Sequence, residues 1–280
     1  MLKREQIRIR DPFVLPDRER GCYFLYGTTA LESGSIKAND SFSVYRSTDL
    51  EHFEEPKVIF RGSDIGFWAD RDFWAPEVHF YHGKYYLFGS CKAEGKCRAT
   101  QIFVCDTPDG TFVPVSKSPV TPFDWECLDG TLWIENGTPY IVFCHEWLQV
   151  KDGEIQAMPL LPDLSAPAGD PFLLFHASDD PAVTEIKPIG SGNYVTDGPF
   201  LFQENGNLRL IWSSFHNGRY LVLEAESESG SLRGPWRHLG SRHDFDGGHA
   251  MIFQRFDGTR MISLHAPNKA GLERAVFLPY

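Results

Sequence analysis

The sequence predicts an all-β fold, a five-bladed β-propeller that occupies residues 1–280 as one domain. Three observations carry this prediction. Apolar runs are short, rich in Tyr, Phe, Val and Ile, and bounded by Gly, Pro, Asn and Asp, which is typical of strands rather than helices. One hairpin pattern recurs five times, beginning at residues 11, 75, 129, 197 and 247. The repeats start 50 to 68 residues apart, which is the size of a four-stranded blade with its loops.

Each repeat contains a small or acidic residue, an apolar run, a polar turn with glycine, and a second apolar run. The turn glycines supply the positive φ that tight hairpins favour. The five segments are, in chain order, DPFVLPDRERGCYFLYG, APEVHFYHGKYYLFGS, DGTLWIENGTPYIVFC, DGPFLFQENGNLRLIWSS and GGHAMIFQRFDGTRMISLH.

The outer half of each blade is predicted less completely than the inner hairpin. The first four hairpins are followed by turn-like segments, such as YRSTDLEHFEEP and CDTPDGTFVPV, that would join two outer strands. The fifth repeat offers only three strands, HAMIF, RMISL and RAVFL. Because a closed propeller avoids open sheet edges, we expect QIRIR, ahead of Asp11, to supply the fourth. A β-sandwich is the alternative fold, and five matched hairpins argue against it.

Composition limits the classes of partner. A net charge of −11 without a basic run argues against nucleic acid and anionic membranes. The apolar stretches are too short to span a bilayer. The N-terminus MLKREQIRIRDPF lacks the apolar core of a signal peptide, so we expect a cytoplasmic protein unless a leader has been removed. The six cysteines form no CxxC pair, and we expect them to be buried free thiols.

The repeat brings carboxylates to one axis, because the innermost strand of every blade lines the central channel. Asp11, Asp129 and Asp197 align at one repeat position, in blades one, three and four. Glu77 falls two residues past that position in blade two, and His249 two residues past it in blade five. Like charges held close together raise each other's pKa. A protonated acid facing an ionised base is the arrangement that glycosidic hydrolysis requires.

Each of these residues also has a structural interpretation. An aspartate before glycine or proline is often only a turn or cap residue. Glu77 could form a salt bridge to Arg71, and His249 could be a hydrogen-bonded core histidine. Aromatic residues cluster beside Glu77 in GFWADRDFWAPE, and we expect Phe73 and Trp74 to stack against sugar rings.

These motifs resemble glycoside hydrolase family 43, in order and over nearly the whole chain. The resemblance implies a general base at Asp11, in RDPFVL, and a general acid at Asp197, in VTDGPFLF. It implies that Asp129, in CLDGTLWIENGTPYIVF, tunes the pKa of the acid. It also implies that His249, in GGHAMIF, lies on the axis, where a calcium or sodium ion or a water often binds. One histidine makes a poor calcium site, so water would supply most ligands, and no cofactor is expected to be required.

Two positions depart from the family pattern. The family usually has Glu-Gly-Pro where this chain has Asp197-Gly198-Pro199, and aspartate is shorter by one methylene. The family usually has Asp-Pro where this chain has Asp129-Gly130. Glu146, in VFCHEW, is predicted to lie on the same face as Asp129, so it is a second candidate for the acid or for substrate binding, with a rim salt bridge as the alternative.

The sequence therefore predicts an inverting glycosidase for oligosaccharides or polysaccharides that contain arabinose or xylose, of the α-L-arabinofuranosidase or β-xylosidase type. Glu77, His145 and His265 are further candidates for contact with sugar. Three alternatives remain: a glycan-binding propeller that has lost its acid, a retaining fructan hydrolase, and a scaffold propeller. The fructan hydrolases carry an Asn-Asp-Pro-Asn type motif that is not present in IRIRDPF.

Overall fold

The computed structural model describes residues 1–30 and 34–280, and within them the chain folds into five antiparallel sheets arranged as a ring. This confirms the predicted five-bladed propeller. The strands of blades one and two are β1 (Leu2–Lys3), β2 (Arg10–Asp17), β3 (Cys22–Thr28), β4 (Ser41–Ser47), β5 (His52–Phe53), β6 (Lys57–Arg61), β7 (Arg71–Tyr81), β8 (Lys84–Lys92), β9 (Ala99–Cys105) and β10 (Val113–Pro114).

Blades three to five continue in chain order. Their strands are β11 (Cys127–Glu135), β12 (Thr138–His145), β13 (Glu154–Pro159), β14 (Phe172–His176), β15 (Asp197–Glu204), β16 (Asn207–His216), β17 (Arg219–Ser227), β18 (Trp236–Ser241), β19 (Gly248–Gln254), β20 (Arg260–Ala266) and β21 (Arg274–Pro279). The described helices are one short α-helix, α1 (Trp147–Val150), and 3₁₀ turns at Arg4–Gln6 and Ala177–Asp179. No helix in the described ranges is long and apolar enough to cross a membrane.

The fifth blade corrects one expectation. It contains three strands, β19 to β21, and QIRIR does not add a fourth. Instead, β1 pairs with β5 in blade one, and the following segment makes one backbone hydrogen bond to the last blade, from Ile9 N to Glu273 O at 3.3 Å. Ile7 and Ile9 are buried in the core cluster that includes blade one, so burial of their side chains holds this segment in place of a strand ladder.

The core lies between the blades, where the faces of neighbouring sheets pack together. Its largest cluster joins blades one and two through phenylalanine rings, with Phe73 in contact with Phe42, Phe60 and Phe67. All six cysteines are free; Cys97 and Cys105 are half-buried and the other four are buried. The expectation of free thiols is thus confirmed, and that of full burial holds for four of them.

Every inner strand has a β-bulge near its start, and β7 has an additional one at Asp72. In each blade the pairing with the second strand skips at the same point, and the residue at the skip has positive φ. These bulge residues are Asp11 (φ 54°), Ala75 (φ 45°), Asp129 (φ 57°), Gly198 (φ 51°) and His249 (φ 54°). A bulge re-aims side chains at the end of a strand, and here it sets which residues face the axis.

The bulges correct the repeat alignment. Asp11 and Asp129 are equivalent, as predicted, and His249 is their equivalent in blade five rather than a residue two places further on. Asp197 is not equivalent to them, because the bulge of blade four is Gly198. The aspartate precedes the bulge, so its carboxylate approaches the axis from a different backbone position.

The bulge residues are also the contact points between blades. The backbone N–H of each one donates a hydrogen bond to a side chain of the preceding blade. The five bonds are Ala75 N to Thr28 Oγ1 (2.7 Å), Asp129 N to Ser90 Oγ (2.9 Å), Gly198 N to Asp129 Oδ2 (2.9 Å), His249 N to Ser213 Oγ (2.7 Å) and Asp11 N to His265 Nδ1 (3.1 Å). We call these five bonds the axial latches.

Blade five closes the ring onto blade one without sharing a sheet with it. Ser263 is fully buried, and its hydroxyl donates to the Pro12 carbonyl at 2.7 Å. Near the pocket, Arg10 Nη1 donates to Asn268 Oδ1 at 2.9 Å and to Glu273 Oε1 at 3.0 Å. Hydrogen bonds therefore hold the closure at the buried inner strands as well as at its rim.

Loss of one buried closure bond should lower stability measurably. We expect Ser263→Ala to reduce the free energy of unfolding by about 1–3 kcal/mol, because the Pro12 carbonyl is left buried without its donor. Ser191→Ala is a matched control, since its hydroxyl also donates to a proline carbonyl, at 2.6 Å, but at an exposed site. It should change stability by less than about 0.5 kcal/mol. Equal effects of the two variants in chemical denaturation would contradict this account of the closure.

Candidate active site

A pocket opens on the axis at the face where the inner strands begin. All five blades contribute to it. Its lining residues are Arg10, Asp11, Thr28, Ile36, Lys37, Trp74, Leu128, Asp129, Asp197, Tyr220 and His249. The three predicted aspartates therefore meet in one pocket together with His249 and Trp74.

Asp11 is a buried carboxylate surrounded by hydrogen-bond donors and positive charge. The Thr28 hydroxyl donates to Oδ2 at 2.6 Å, and His249 Nδ1 lies 3.2 Å from Oδ1. Burial alone would raise the pKa of this carboxyl, but the charges of His249 and Arg10 and the Thr28 hydrogen bond outweigh burial and lower it. Asp11 is therefore ionised near neutrality.

Asp129 lies next to Asp11 but has the opposite electrostatic balance. It is buried, and its pKa is raised well above the ordinary value, first by burial and then by the negative charge of Asp11. The Gly198 N–H donates to Oδ2 at 2.9 Å and partly offsets that rise. Oδ2 is also 3.7 Å from His249 Nδ1, so this histidine lies between the two carboxylates.

Asp197 is half-buried, and its pKa is raised to about 7. Burial is the main cause, and the charge of Asp129 adds to it. The Tyr220 hydroxyl donates to Oδ2 at 3.0 Å, and burial raises the pKa of that phenol well above 10, so it remains a donor. The pocket thus holds an ionised carboxylate at Asp11 and a carboxyl at Asp197 that keeps its proton up to about neutrality.

Gly198 is required at its position by close packing. The other four bulge residues share its positive φ although they have side chains. A Cβ at Gly198 would lie 2.8 Å from Cδ2 of His249. The histidine ring therefore packs directly against the backbone that follows Asp197.

Glu146 does not line the pocket. It is buried, and its Oε1 accepts a hydrogen bond from Arg98 Nε at 2.7 Å. Arg98 also donates to Asp72 Oδ2 at 3.1 Å, and its guanidinium lies 3.8 Å from the centroid of the Trp74 ring. The ion pair that was the alternative prediction is therefore what the structure contains, and it supports the indole of Trp74.

Of the two aromatic residues predicted to contact sugar, Trp74 reaches the pocket and the neighbouring Phe73 does not. Trp74 Nε1 donates to the Ile36 carbonyl at 2.8 Å, which fixes the indole in the pocket wall. Phe73 is 0% exposed in the phenylalanine cluster of the core. The prediction that Phe73 contacts sugar was wrong, because adjacent strand residues point to opposite faces.

Two other predicted contacts with sugar, Glu77 and His145, lie outside the pocket lining. Glu77 is buried and bonded to His79 Nε2 at 3.0 Å, rather than paired with Arg71. His145 is buried between Glu154 and Gln149, at 3.0 and 2.9 Å. These two residues organise their own blades, so the expectation that they contact substrate is corrected.

His265 binds the backbone of Asp11 instead of lining the pocket. It is 0% exposed, and burial lowers its pKa to about 4, so the ring is neutral. A neutral ring can accept a hydrogen bond at Nδ1, and it does so from the Asp11 N–H. The prediction that His265 contacts sugar is therefore wrong, and its role is to fix the backbone of Asp11.

The residues near His249 do not form a cage for a metal ion. Nδ1 faces Asp11 and Asp129, and the ring packs against Gly198. Within residues 1–30 and 34–280 there is no cluster of three or more His, Cys, Asp or Glu side chains that fits a metal ion. The cation expected near His249, with water as its main source of ligands, stays a prediction.

Sequence reasoning missed several residues that organise the pocket. Tyr220 lies on the third strand of blade four, Arg98 follows β8, and the latch acceptors Thr28, Ser90 and Ser213 lie on second strands. No local motif marks them, because Tyr, Thr and Ser are ordinary strand residues. A signal existed only in the repeat: the paired position on the second strand carries a hydroxyl in three of the five blades.

A five-bladed propeller with an ionised and a protonated carboxyl in one axial pocket has the features of a glycosidase. Similarity to known proteins supports the same class. The family model described as glycosyl hydrolases family 43 matches residues 6–279. The chain belongs to that family, as the sequence motifs predicted.

Similar proteins are found among curated sequences. The chain is 27% identical over 232 residues to alpha-L-arabinofuranosidase 43 of Humicola insolens, covering 78% of this chain and 44% of that protein. It is 24% identical over 213 residues to a probable arabinan endo-1,5-alpha-L-arabinosidase C of Aspergillus niger. That match covers 73% of this chain and 58% of the relative. The match thus spans about half of the length of these two relatives.

Solved structures resemble the whole chain. An endo-arabinase from Bacteroides thetaiotaomicron VPI-5482 is 40% identical with a TM-score of 0.91, and the match covers 100% of this chain and 96% of that one. A thermostable family-43 glycoside hydrolase has a TM-score of 0.80 at 24% identity, covering 96% and 88%. At 24% identity, the similarity to the thermostable hydrolase supports only the fold of this chain.

Because the pKa of Asp197 is raised in the folded state, the free energy of unfolding should fall as the pH rises and this carboxyl ionises. A carboxyl whose pKa is raised in the folded state stabilises the protein below its ordinary pKa, and that contribution is lost as the pH rises toward about 7. Asp197→Asn removes the titration and can still accept the Tyr220 hydrogen bond. We expect its stability relative to the parent to increase by about 1–2 kcal/mol between pH 5 and pH 8.

Urea unfolding of the two proteins at several pH values measures this difference. Asp170→Asn changes an exposed carboxylate and should give a difference that does not vary over the same range. A constant or shrinking difference for Asp197→Asn would contradict the raised pKa.

Proposed function

We propose that the protein is an inverting glycosidase that hydrolyses linkages of arabinose in oligosaccharides or polysaccharides. One observation carries the proposal: two carboxyls in one pocket are driven to opposite protonation states, with the pKa of Asp11 lowered and that of Asp197 raised to about 7. Family membership supports glycosidic chemistry. The 40% identical endo-arabinase favours arabinose over xylose as the sugar.

Asp11 would act as the general base. It is ionised and buried, and Thr28, His249 and the latch to His265 fix its position. In the proposed step Asp11 removes a proton from a water, and the water oxygen attacks the anomeric carbon from the face opposite the leaving group. Inversion needs room for that water, which corresponds to a separation of about 6.5–9.5 Å between the two catalytic carboxyls.

Asp197 would act as the general acid. Below about pH 7 it carries the proton that the leaving oxygen needs as the glycosidic bond breaks. Tyr220 holds Oδ2, which leaves Oδ1 to donate that proton. Asp129 would serve as a positioning residue, because its charge raises the pKa of Asp197 and its Oδ2 binds the adjacent Gly198 N–H.

Glu146 is the weaker candidate for the acid. Its carboxylate is paired with Arg98 at 2.7 Å and is absent from the pocket lining. Its proposed role is to hold Arg98 against Trp74, and the exposed part of that indole would form a wall for the sugar ring.

Variants of the two acids should separate these roles. We expect Asp197→Asn to lower kcat/KM on arabino-oligosaccharides by about 10²–10⁴-fold, since the leaving alkoxide must then depart without a proton. The loss on an aryl arabinoside with a good leaving group should be much smaller. Glu146→Gln should affect both substrates by a similar factor, mainly through KM. The reverse pattern would assign the acid to Glu146.

One experiment tests the proposed activity itself. The protein is incubated with arabino-oligosaccharides, xylo-oligosaccharides and their aryl glycosides, and the first-formed product is followed by proton NMR. We expect hydrolysis of the arabinosides with inversion at the anomeric carbon, and an initial product of retained configuration would refute the mechanism. The shorter Asp197 motivates a second candidate, a glycan-binding propeller without turnover. That candidate predicts saturable binding of the same oligosaccharides with no product.

A further inference from the structure

A groove on blade two lies outside the catalytic pocket. It is lined by Trp68, Gly95, Lys96, Cys97, Ala99, Lys117, Ser118, Pro119 and Phe123, and we call it the Trp68 groove. These residues come from the segments before β7, after β8 and before β11. Inner strands begin and second strands end on the face that holds the catalytic pocket. The Trp68 groove therefore opens on the same face.

Two aromatic side chains give the groove a surface for sugar rings. Phe123 is 69% exposed. Trp68 is half-buried, and its Nε1 donates to Gln101 Oε1 at 3.0 Å, which fixes the plane of the indole. A fixed indole beside an exposed phenyl ring suits the apolar face of a saccharide. Exposed aromatic groups gathered in one groove also commonly mark a binding surface.

Two lysines give the groove positive charge. Lys96 Nζ lies 5.7 Å from the centroid of the Trp68 ring, and Lys117 lines the same groove. Both side chains are exposed, and within residues 1–30 and 34–280 neither forms an ion pair. In a chain of net charge −11, two lysines in one groove without carboxylate partners among the described residues create a local site for an anion.

Two of the three carboxylates beside the groove are already paired with cations, and the third, Asp124, offsets only part of the positive charge. Glu94 is paired with Arg71 at 3.1 Å, and Glu126 with Lys92 at 2.7 Å. Asp124 is the remaining neighbour along the chain, and it is exposed to solvent.

One short segment, residues 96–98, both lines the groove and supports the wall of the catalytic pocket. Arg98 follows Lys96 by two residues, and its guanidinium stacks on Trp74 of the pocket wall at 3.8 Å. A shallow depression that includes Asp70, Arg71 and Lys92 shares Lys37 with the pocket. A polysaccharide chain leaving the pocket over Trp74 would therefore cross blade two toward Trp68.

We propose that the Trp68 groove binds a uronic acid residue of the polysaccharide that the enzyme cuts, with the sugar ring against Trp68 and Phe123 and its carboxylate between Lys96 and Lys117. The substrate class rests on the proposed function, whereas binding of a uronate in the groove can be tested without turnover. The occupant is defined by two requirements, a ring with an apolar face and a carboxylate attached to that ring.

Titration by NMR or tryptophan fluorescence tests the proposal with three probes: tetragalacturonate, an uncharged arabinotetraose, and tetraglutamate as an anion without sugar rings. We expect tetragalacturonate to bind, with Kd about tenfold lower than that of tetraglutamate. Replacing both lysines, by Lys96→Gln with Lys117→Gln, should weaken tetragalacturonate binding by about tenfold or more, and Trp68→Ala should also weaken it. The matched control is Lys57→Gln with Lys187→Gln, which removes two exposed lysines elsewhere and should leave Kd unchanged.

The proposal is overturned if tetragalacturonate fails to bind, if tetraglutamate binds equally well, or if the two double variants behave alike. Groove variants should hydrolyse an aryl arabinoside at the parental rate, which also shows that they fold. Absence of hydrolysis by the parent, with tetragalacturonate still bound in the groove, would refute the proposed function and leave the groove assignment standing.

Discussion

The structure depends on satisfying one backbone N–H at the start of each inner strand. A β-bulge removes that N–H from the strand ladder, and a buried unpaired donor costs about 1–3 kcal/mol. Each N–H is therefore bonded to a side chain of the preceding blade, and the five bonds together form the axial latches. The same bulge turns Asp11, Asp129 and His249 toward the axis. Inter-blade cohesion and the placement of the catalytic groups thus have a single origin.

One latch differs from the others, and the difference lies beside the proposed acid. Four of the five latch bonds are accepted by a side-chain oxygen or nitrogen at the same position of a second strand. These acceptors are Thr28, Ser90, Ser213 and His265. The equivalent residue of blade three is Cys144, which pairs with Leu128, and sulfur is a weak acceptor. The Gly198 N–H donates to Asp129 Oδ2 instead. The carboxyl group of Asp129 therefore contacts the backbone of the residue that follows Asp197.

The three aspartates differ in pKa because their partners differ. Asp11 has cations and donors within reach, so its pKa falls despite burial. Asp129 has Asp11 as a neighbour, and Asp197 has Asp129, so burial and repulsion act in the same direction for both. Tyr220 donates to Asp197 Oδ2 at 3.0 Å and so fixes one oxygen of that side chain.

The sequence was sufficient to predict the propeller, the hairpins and the three aspartates, because strand runs and turn glycines are local signals that repeat. It was not sufficient to predict the bulge register, since Asp197-Gly198 looks like Asp129-Gly130 although the bulge falls on the glycine in one and on the aspartate in the other. Cross-strand pairing decides that register. Alternation along β7 likewise buries Phe73 and leaves Trp74 in the pocket. Glu146 could not be assigned without Arg98, which is 48 residues away in sequence.

The central claim is that burial, reinforced by the neighbouring Asp129, keeps a proton on Asp197 near neutral pH. Carboxyl ¹³C NMR of aspartate-labelled protein, with the Asp197 signal assigned by its loss in Asp197→Asn, measures this directly. We predict a titration midpoint near 7 for Asp197, and a lower midpoint in Asp129→Asn, where the neighbouring charge is removed. A midpoint near 4 in the parent protein, or one unchanged in Asp129→Asn, would contradict the account.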